Sequence, residues 1–401
     1  MTPHEPRHFL RDLSPSAAVA GFVAVLVGFT SSVAIVFAAA QALGATPGQA
    51  ASWMWALGLG MGFTSLGLSL WYRQPVLTAW STPGAALIAA TSGIGMAEAV
   101  GAFMLCAALI VLAGATGFFE RVMDRIPQAI AAALLAGVLA RFGLDAVLAA
   151  RSAPWLVLAM AAAYLAGRRW WPRHAVPGVL TVGIAVAAAQ GGLRWDGIAW
   201  GWAVPVWTTP RFTLAAAVGL ALPLFLVTMA SQNLPGVAAQ RASGYRTPVS
   251  PVITTTGLAS LVLAPFGGFA LNLAAITAAI CMGREAHEDP ARRYTASVMA
   301  GVFYVAVGLA GAAVAGLLAA FPRELVVAVA GLALLGTIAG GLAAGLKDER
   351  HRDAAILTFL VTLSGLTIAG VGSAFWGVVA GSAALVVQHY RPRLRDRTPP
   401  P

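Results

Sequence analysis

The sequence predicts an all-α polytopic membrane protein. It is expected to have fourteen membrane segments in two inverted seven-segment repeats, with short strands and half-helices in segments three and ten. Three observations lead there. The 401 residues are 59% hydrophobic and only 10% charged, a balance that soluble domains do not carry. Two apolar stretches, Pro75–Gly93 and Pro265–Gly283, open as proline-initiated extended runs and then meet helix-start signals. Finally, the basic residues sort to one side of the predicted spans, as the positive-inside rule requires.

The elements follow in order. Residues 1–14 form a polar N-terminus, expected in the cytoplasm, and no cleavable signal peptide is expected. The first repeat, 15–205, holds Ala17–Leu43, Gln49–Trp71, the short segment at Pro83, Met96–Phe119, Pro127–Leu148, Pro154–Trp170 and Val176–Gln190. The second, 206–390, holds Phe212–Ser231, Pro248–Ala264, the short Leu273–Met282, Tyr294–Ala320, Glu324–Leu346, Asp353–Ala369 and Gly372–His389. Val176–Gln190 and Pro248–Ala264 are short, so totals of twelve or thirteen are the alternatives. Residues 391–401 are a Pro-rich tail, expected to be disordered and cytoplasmic.

With the N-terminus inside, Arg141, Arg151, Arg194, Arg211 and Arg323 fall outside and the other 20 of the 25 Lys and Arg fall inside. Seven segments per half is an odd number, so the second half enters the bilayer upside down relative to the first. Aligning Pro75 with Pro265 places Thr82 on Asn272, Ala85 on Ala275 and Ala89 on Ala279. The net charge of +10 therefore reads as a topology signal and not as a nucleic-acid surface.

The short segments carry the functional signal. Thr82 and Asn272 are N-cap residue types, and Pro83 suits a first helical position. The helices after them, Pro83–Ser92 and Leu273–Met282, are about ten residues, or about 15 Å, where a span needs about 20 residues. Such half-helices start at mid-membrane, and broken backbone there must line a cavity or be buried in protein. Their N-termini offer unsatisfied N–H groups and partial positive charge to an anion. The residues at those ends are Ser81, Thr82, Pro83, Gly84 and Ala85, and Ala270, Leu271, Asn272, Leu273 and Ala274. The bland alternative is a pair of kinked packing helices with ordinary caps.

Other polar groups fall within spans: Thr30, Ser31 and Ser32 in the first segment, and Ser231, Gln232 and Asn233 towards the end of the eighth, followed by the helix-breaking Pro235. Each reads as pathway or as interhelical glue. Gly58, Gly60 and Gly62 read as close helix packing, with no strand or GK[ST] to make a nucleotide loop. Glu98 and Asp145 sit near segment ends, and Arg141 with Asp145 reads as a local ion pair. The histidines lie in loops or at segment ends, and Cys106 and Cys281 have no metal or disulfide spacing. No metal, cofactor or catalytic set is expected.

The stretches GFTSS (Gly28–Ser32), STPGAAL (Ser81–Leu87), SQNLPG (Ser231–Gly236) and FGGFALNLAAITAAICMG (Phe266–Gly283) resemble the bacterial benzoate membrane transporter family, BenE type, from about Ser14 to His389. That family stands with the nucleobase/ascorbate and sulfate permease transporters. The resemblance implies a core domain, 15–124 and 210–321, and a gate domain, 125–209 and 322–390. It places substrate between segments three and ten, flanked by one and eight. It also suggests a homodimer. Where nucleobase relatives carry acidic groups on segments eight and ten, this chain has Gln232, Asn233 and Asn272, which suits an anionic substrate.

The expected function is proton-driven uptake of benzoate or a similar aromatic monocarboxylate across a bacterial inner membrane, by movement of the core against the gate. The substrate-binding set is Thr30, Ser31, Ser32, Thr82, Pro83, Gly84, Ala85, Gln232, Asn233, Leu271, Asn272 and Leu273, with Phe29, Leu271 and Trp80 able to cover the ring. The partners are the carboxylate, a proton and membrane lipid, and nucleic acid is not among them. The alternatives are an inorganic-anion transporter or exchanger on the same fold and, from another class, a membrane-embedded enzyme. The enzyme would need a buried nucleophile–base pair or metal cluster that the sequence does not offer.

Overall fold

The computed structural model describes residues 9–89, 91, 93–171, 175–193, 202–310, 321–366, 368 and 373–389. Helices dominate. In chain order they are α1 (Pro15–Ala42), α2 (Pro47–Tyr72), α3 (Thr82–Ala89), α4 (Met96–Ala115), α5 (Gln128–Leu148), α6 (Pro154–Trp170) and α7 (Ala175–Ala189). There follow α8 (Leu214–Ala242), α9 (Val249–Leu263), α10 (Ile276–Met282), α11 (Tyr294–Ala310), α12 (Arg323–Leu346), α13 (Arg352–Leu363) and α14 (Ser373–His389). Two strands, β1 (Thr78–Ala79) and β2 (Asn272–Leu273), precede α3 and α10. Among the described residues, seven helices are long and apolar enough to cross a membrane.

The helix starts obey local chemistry. Ser14 accepts from the Ala17 amide at 3.1 Å ahead of Pro15, and Thr46 and Gln49 close a capping box ahead of Pro47. The helix α2 stops where Arg73 turns left-handed at φ 51°. Its glycines serve packing: a Cβ on Gly58 would stand 2.5 Å from the Cα of Gly308, and one on Gly62 would stand 2.9 Å from the Gly301 carbonyl. That lets α2 and α11 approach backbone to backbone, as small residues do between membrane helices.

Packing follows a paired scheme. The helix α2 lies on α11, and α4 lies on α9. Both α3 and α10 lean on α1, which also packs on α11. A second group joins α5 to α12 and α13, α6 to α7, and α13 to α14. The group with the strands meets this second group chiefly where α8 touches α5, and also where α1 touches α12 and α7 and where α10 touches α12.

Two expected boundaries are corrected. The eighth segment was expected to end at Ser231, with Pro235 breaking it, yet α8 runs on to Ala242. Proline lacks an N–H and its ring clashes with the carbonyl four residues back. Here π turns at Ala217–Ala221 and Met229–Asn233 precede Pro223 and Pro235 and absorb both prolines without a break. In the tenth segment the helix was expected at Leu273 with Asn272 as its cap. Instead Asn272 and Leu273 are strand, and α10 starts three residues later, at Ile276. The equivalence between halves shifts accordingly: β2 and α10 follow β1 and α3 at an offset of 194 residues, not the 190 that aligns the prolines.

The strands pair antiparallel, Thr78 opposite Leu273 and Ala79 opposite Asn272, and the Ala274 amide donates to the Leu77 carbonyl at 2.9 Å. Each extended run is also held by its own half. Ser69 Oγ accepts from the Val76 amide and Ser65 Oγ from the Thr78 amide, both from α2. Ser260 Oγ of α9 accepts from the Leu271 amide, and Asn233 Oδ1 of α8 from the Leu273 amide, each at 2.9 Å. Backbone that has left a helix inside an apolar protein needs such partners.

Candidate substrate-binding site

The crossing of β1 and β2 sets the starts of α3 and α10 on either side of a cavity of about 70 Å³. Its walls are Val27, Gly28 and Ser32 of α1, Met61 of α2, Ala79 and Trp80 at β1, Thr82 of α3, Phe142 of α5, Gln232 of α8, Ala274, Ala275, Ile276 and Thr277 at the start of α10, and Tyr304 of α11. None of these residues is Asp, Glu, His, Lys or Arg.

On the α3 side, Ser81 performs the capping that was expected of Thr82. Its Oγ accepts from the Gly84 amide at 3.1 Å, its carbonyl accepts from the Ala85 amide at 2.7 Å, and it receives the Thr228 hydroxyl at 3.0 Å. Thr82 is thereby left on the cavity wall. Pro83, Gly84 and Ala85 lie outside the lining; Ala85 is fully buried, and Gly84 packs so closely that a Cβ would stand 2.6 Å from Leu224. On the α10 side, Ala275, Ile276 and Thr277 belong to a helix start, where the first amides lack intrahelical acceptors.

The π turn in α8 separates its two amides. Gln232 lines the cavity. Asn233 is fully buried behind it, with Oδ1 on the Leu273 amide and Nδ2 3.2 Å from Met229 Sδ. Asn272 is also fully buried. Its Nδ2 donates to the carbonyl of Ala270, a residue at φ 42°, and its Oδ1 has no hydrogen-bond partner. Leu271 packs against Gly60, and Leu273 is held in β2. Asn233, Leu271, Asn272 and Leu273 therefore shape the floor and do not form its surface.

Ser32 is on the wall, but its hydroxyl is engaged. It donates to the Gly28 carbonyl at 2.8 Å and accepts from Trp80 Nε1 at 3.0 Å. That bond fixes the indole, and Phe29 meets it edge-on at 5.1 Å between centroids. Thr30 and Ser31 belong to α1, and their side chains lie outside the described residues.

Sequence reasoning passed over Phe142, Tyr304, Met61 and Thr277. A signal existed for Tyr304, a phenol beside Phe303 in the apolar second half of α11. Phe142 gave none, because one phenylalanine in an apolar helix is ordinary. Arg141 and Asp145, read as a local pair, do not close an ion pair among the described residues; they share a surface pocket with Arg323 and Glu324. Among the described residues there is no cluster of three or more His, Cys, Asp or Glu that could hold a metal.

The arrangement can hold a small anion by neutral donors at one end and a flat apolar body at the other. Comparison with known proteins places the chain. The sequence profile of the family described as "Benzoate membrane transport protein" matches residues 11–387. The "Inner membrane protein YdcO" of Escherichia coli (strain K12) is 50% identical over 379 residues, which is 94% of this chain and 97% of that protein. The "Benzoate membrane transport protein" of Acinetobacter baylyi (strain ATCC 33305 / BD413 / ADP1) is 40% identical over 378 residues, 94% of this chain and 96% of that one. Among solved structures, the transmembrane domain of a cyanobacterium bicarbonate transporter BicA aligns at TM-score 0.47 and 14% identity, covering 93% of this chain and 98% of that one. SLC26A9 aligns at TM-score 0.48 and 11% identity, covering 96% and 66%.

Proposed function

Because the chain belongs to the benzoate membrane transport protein family, we propose that it imports benzoate or a similar aromatic monocarboxylate together with a proton. It is a membrane transporter of that family and not an enzyme. One observation carries the substrate reading: the cavity at the paired chain breaks is uncharged, with Thr82, Gln232, Thr277 and Tyr304 offering polar atoms and Val27, Met61, Ala79, Trp80 and Phe142 offering apolar and aromatic surface. A few polar groups in a mostly apolar wall are what small-molecule recognition uses.

In this reading the carboxylate rests between the starts of α3 and α10, oriented by Gln232, and the ring lies against Trp80. The helix α10 has only seven residues, so side-chain and single amide donors carry more of the anion's stabilisation than a helix dipole does. Proton coupling follows from energetics. A carboxylic acid of ordinary pKa, about 4, is ionised at neutral pH. Moving it against an inside-negative potential costs about 2.3 kcal/mol per charge per 100 mV, and a co-transported proton removes that cost.

The same reading assigns fourteen segments to two inverted repeats in the bacterial inner membrane, with both termini cytoplasmic. The recurring element order and the antiparallel strand pair support it. The core, 15–124 and 210–321, would carry the site past the gate, 125–209 and 322–390.

Uptake of radiolabelled benzoate into proteoliposomes, with and without an inward proton gradient, tests the function. Gradient-driven accumulation that excess benzoate blocks and sulfate does not is the expected result. Accumulation of sulfate without benzoate would replace this reading with an inorganic-anion transporter.

A further inference from the structure

Phe142 is the one cavity residue that comes from α5. No other described lining residue belongs to α5–α7 or α12–α14; the rest come from α1, α2, the β1–α3 run, α8, the β2–α10 run and α11. Phe142 thus faces the substrate from the group of helices opposite to the one that holds it.

Its backbone cannot retreat. A Cβ on Gly331 of α12 would stand 2.5 Å from the Phe142 carbonyl oxygen and 2.4 Å from the Cβ of Ala146. The next residue, Gly143, is backed by Leu335 and Ile338 of the same helix. Close packing of this kind transmits strain and does not yield to a larger guest. Phe142 is half-buried and forms part of the cavity wall.

We propose that Phe142 is the residue that sets the size of the aromatic ring the protein accepts, admitting single-ring carboxylates and excluding fused two-ring ones. The inference rests on the aromatic-carboxylate reading above. Two features support it. The cavity, at about 70 Å³, is small for a ligand site and is closed on the Phe142 side by a rigidly backed wall. The other bulky neighbours are fixed in their roles, since Trp80 is tied to Ser32 and Tyr304 is fully buried in α11. A hydrophobic wall of this kind discriminates by roughly 10- to 200-fold per methylene-sized misfit.

The test is competition against radiolabelled benzoate uptake in proteoliposomes, with unlabelled benzoate and 2-naphthoate as competitors, for the wild type, Phe142→Ala, Phe142→Leu and Phe142→Trp. In the wild type, 2-naphthoate is expected to need at least about tenfold more than benzoate for half-inhibition. Phe142→Ala and Phe142→Leu should bring that ratio to within about threefold, and Phe142→Trp should raise the half-saturating benzoate concentration by about tenfold. If Phe142→Ala does not reach the membrane, Phe142→Leu decides alone. An unchanged ratio in variants that still take up benzoate overturns the inference and leaves the function standing. A wild type that takes up no aromatic carboxylate overturns the function itself.

Discussion

The Arg168 guanidinium, at the end of α6, donates to the Glu285 carboxylate just beyond α10, with Nη1 and Oε1 2.7 Å apart. The Glu285 side chain is only 6% exposed, whereas that of Arg168 is 45% exposed. Gly336 of α12 makes room for the pair: a Cβ there would stand 3.0 Å from Oε1 and 3.4 Å from Nη1. The Arg168 guanidinium also lies over the Tyr164 ring, 5.8 Å from its centroid. The contact thus joins three stretches of chain far apart in sequence.

Loss of one partner should cost more than loss of both. Arg168→Ala leaves a buried carboxylate without its cation, which destabilises by up to about 3–5 kcal/mol in the fully buried limit, and by less here because Arg168 reaches solvent. The double variant with Glu285→Ala should lose less than the sum of the singles. Thermal unfolding of detergent-solubilised protein gives the cycle, and strict additivity would show that the pair is not coupled.

Gln232 and Asn233 should separate cleanly. Asn233→Ala strips the Leu273 amide of its acceptor deep in the protein, a loss of about 1–3 kcal/mol that should show as a lower Tm. Gln232→Ala touches the cavity and leaves β2 alone, so it should raise the KM for benzoate with Tm little changed. Equal Tm losses in both variants would refute the division of labour.

Gly58→Leu should be among the most damaging single changes. Its Cβ would fall 2.5 Å from the Gly308 Cα and 2.8 Å from the Gly308 nitrogen, both backbone, so α2 and α11 must part. Overpacking of this kind costs about 1–3 kcal/mol or more. At Gly67 nothing lies within 4 Å, and Gly67→Leu should leave both expression and Tm near wild type. Quantifying the two variants in membranes, side by side, decides the point.

Tyr245, in the loop between α8 and α9, should give the fold an alkaline limit. Burial raises its phenol above the ordinary value of about 10, while nearby Arg293 pulls it down and Asp289 pushes it up. Its hydroxyl donates to the Pro290 carbonyl at 3.0 Å. A raised pKa means the folded state favours the neutral phenol. That contribution is complete below about pH 10 and is lost as pH rises through the higher folded value. Stability measured from pH 8 to pH 11.5 should fall less steeply for Tyr245→Phe than for the wild type.

Much of this architecture was legible in the sequence because apolar length and proline placement are local signals. The helices α6, α12 and α14 match their expected spans to within a residue or so. The breaks near Pro75 and Pro265 announce themselves, since a proline-led extended run inside apolar sequence has few other uses. What escaped was register and direction. Nothing local says that Asn272 pairs with Ala79 as strand, or that Ser81 and not Thr82 turns back to cap α3, because each depends on a partner far along the chain or on a single backbone torsion. Nor does local sequence show that a π turn lets α8 pass Pro235 while aiming Gln232 and Asn233 in different directions. Phe142 reaches the cavity only through tertiary packing.

The hydroxyls that hold the extended runs bear on how the chain is made. Ser65 and Ser69 emerge from a ribosome just before the residues they serve, Thr78 and Val76, whereas β2 follows β1 by 194 residues. At about 5–20 residues per second, that interval is roughly 10–40 seconds. Throughout it the first strand would otherwise sit in an apolar medium with its amides unmet. Ser260 and Asn233 likewise precede the amides of Leu271 and Leu273. Each half thus carries acceptors for part of its own extended run, and the Val76 and Thr78 amides need not wait for the second half to be made, whereas the Leu77 carbonyl is met only by the Ala274 amide of that half.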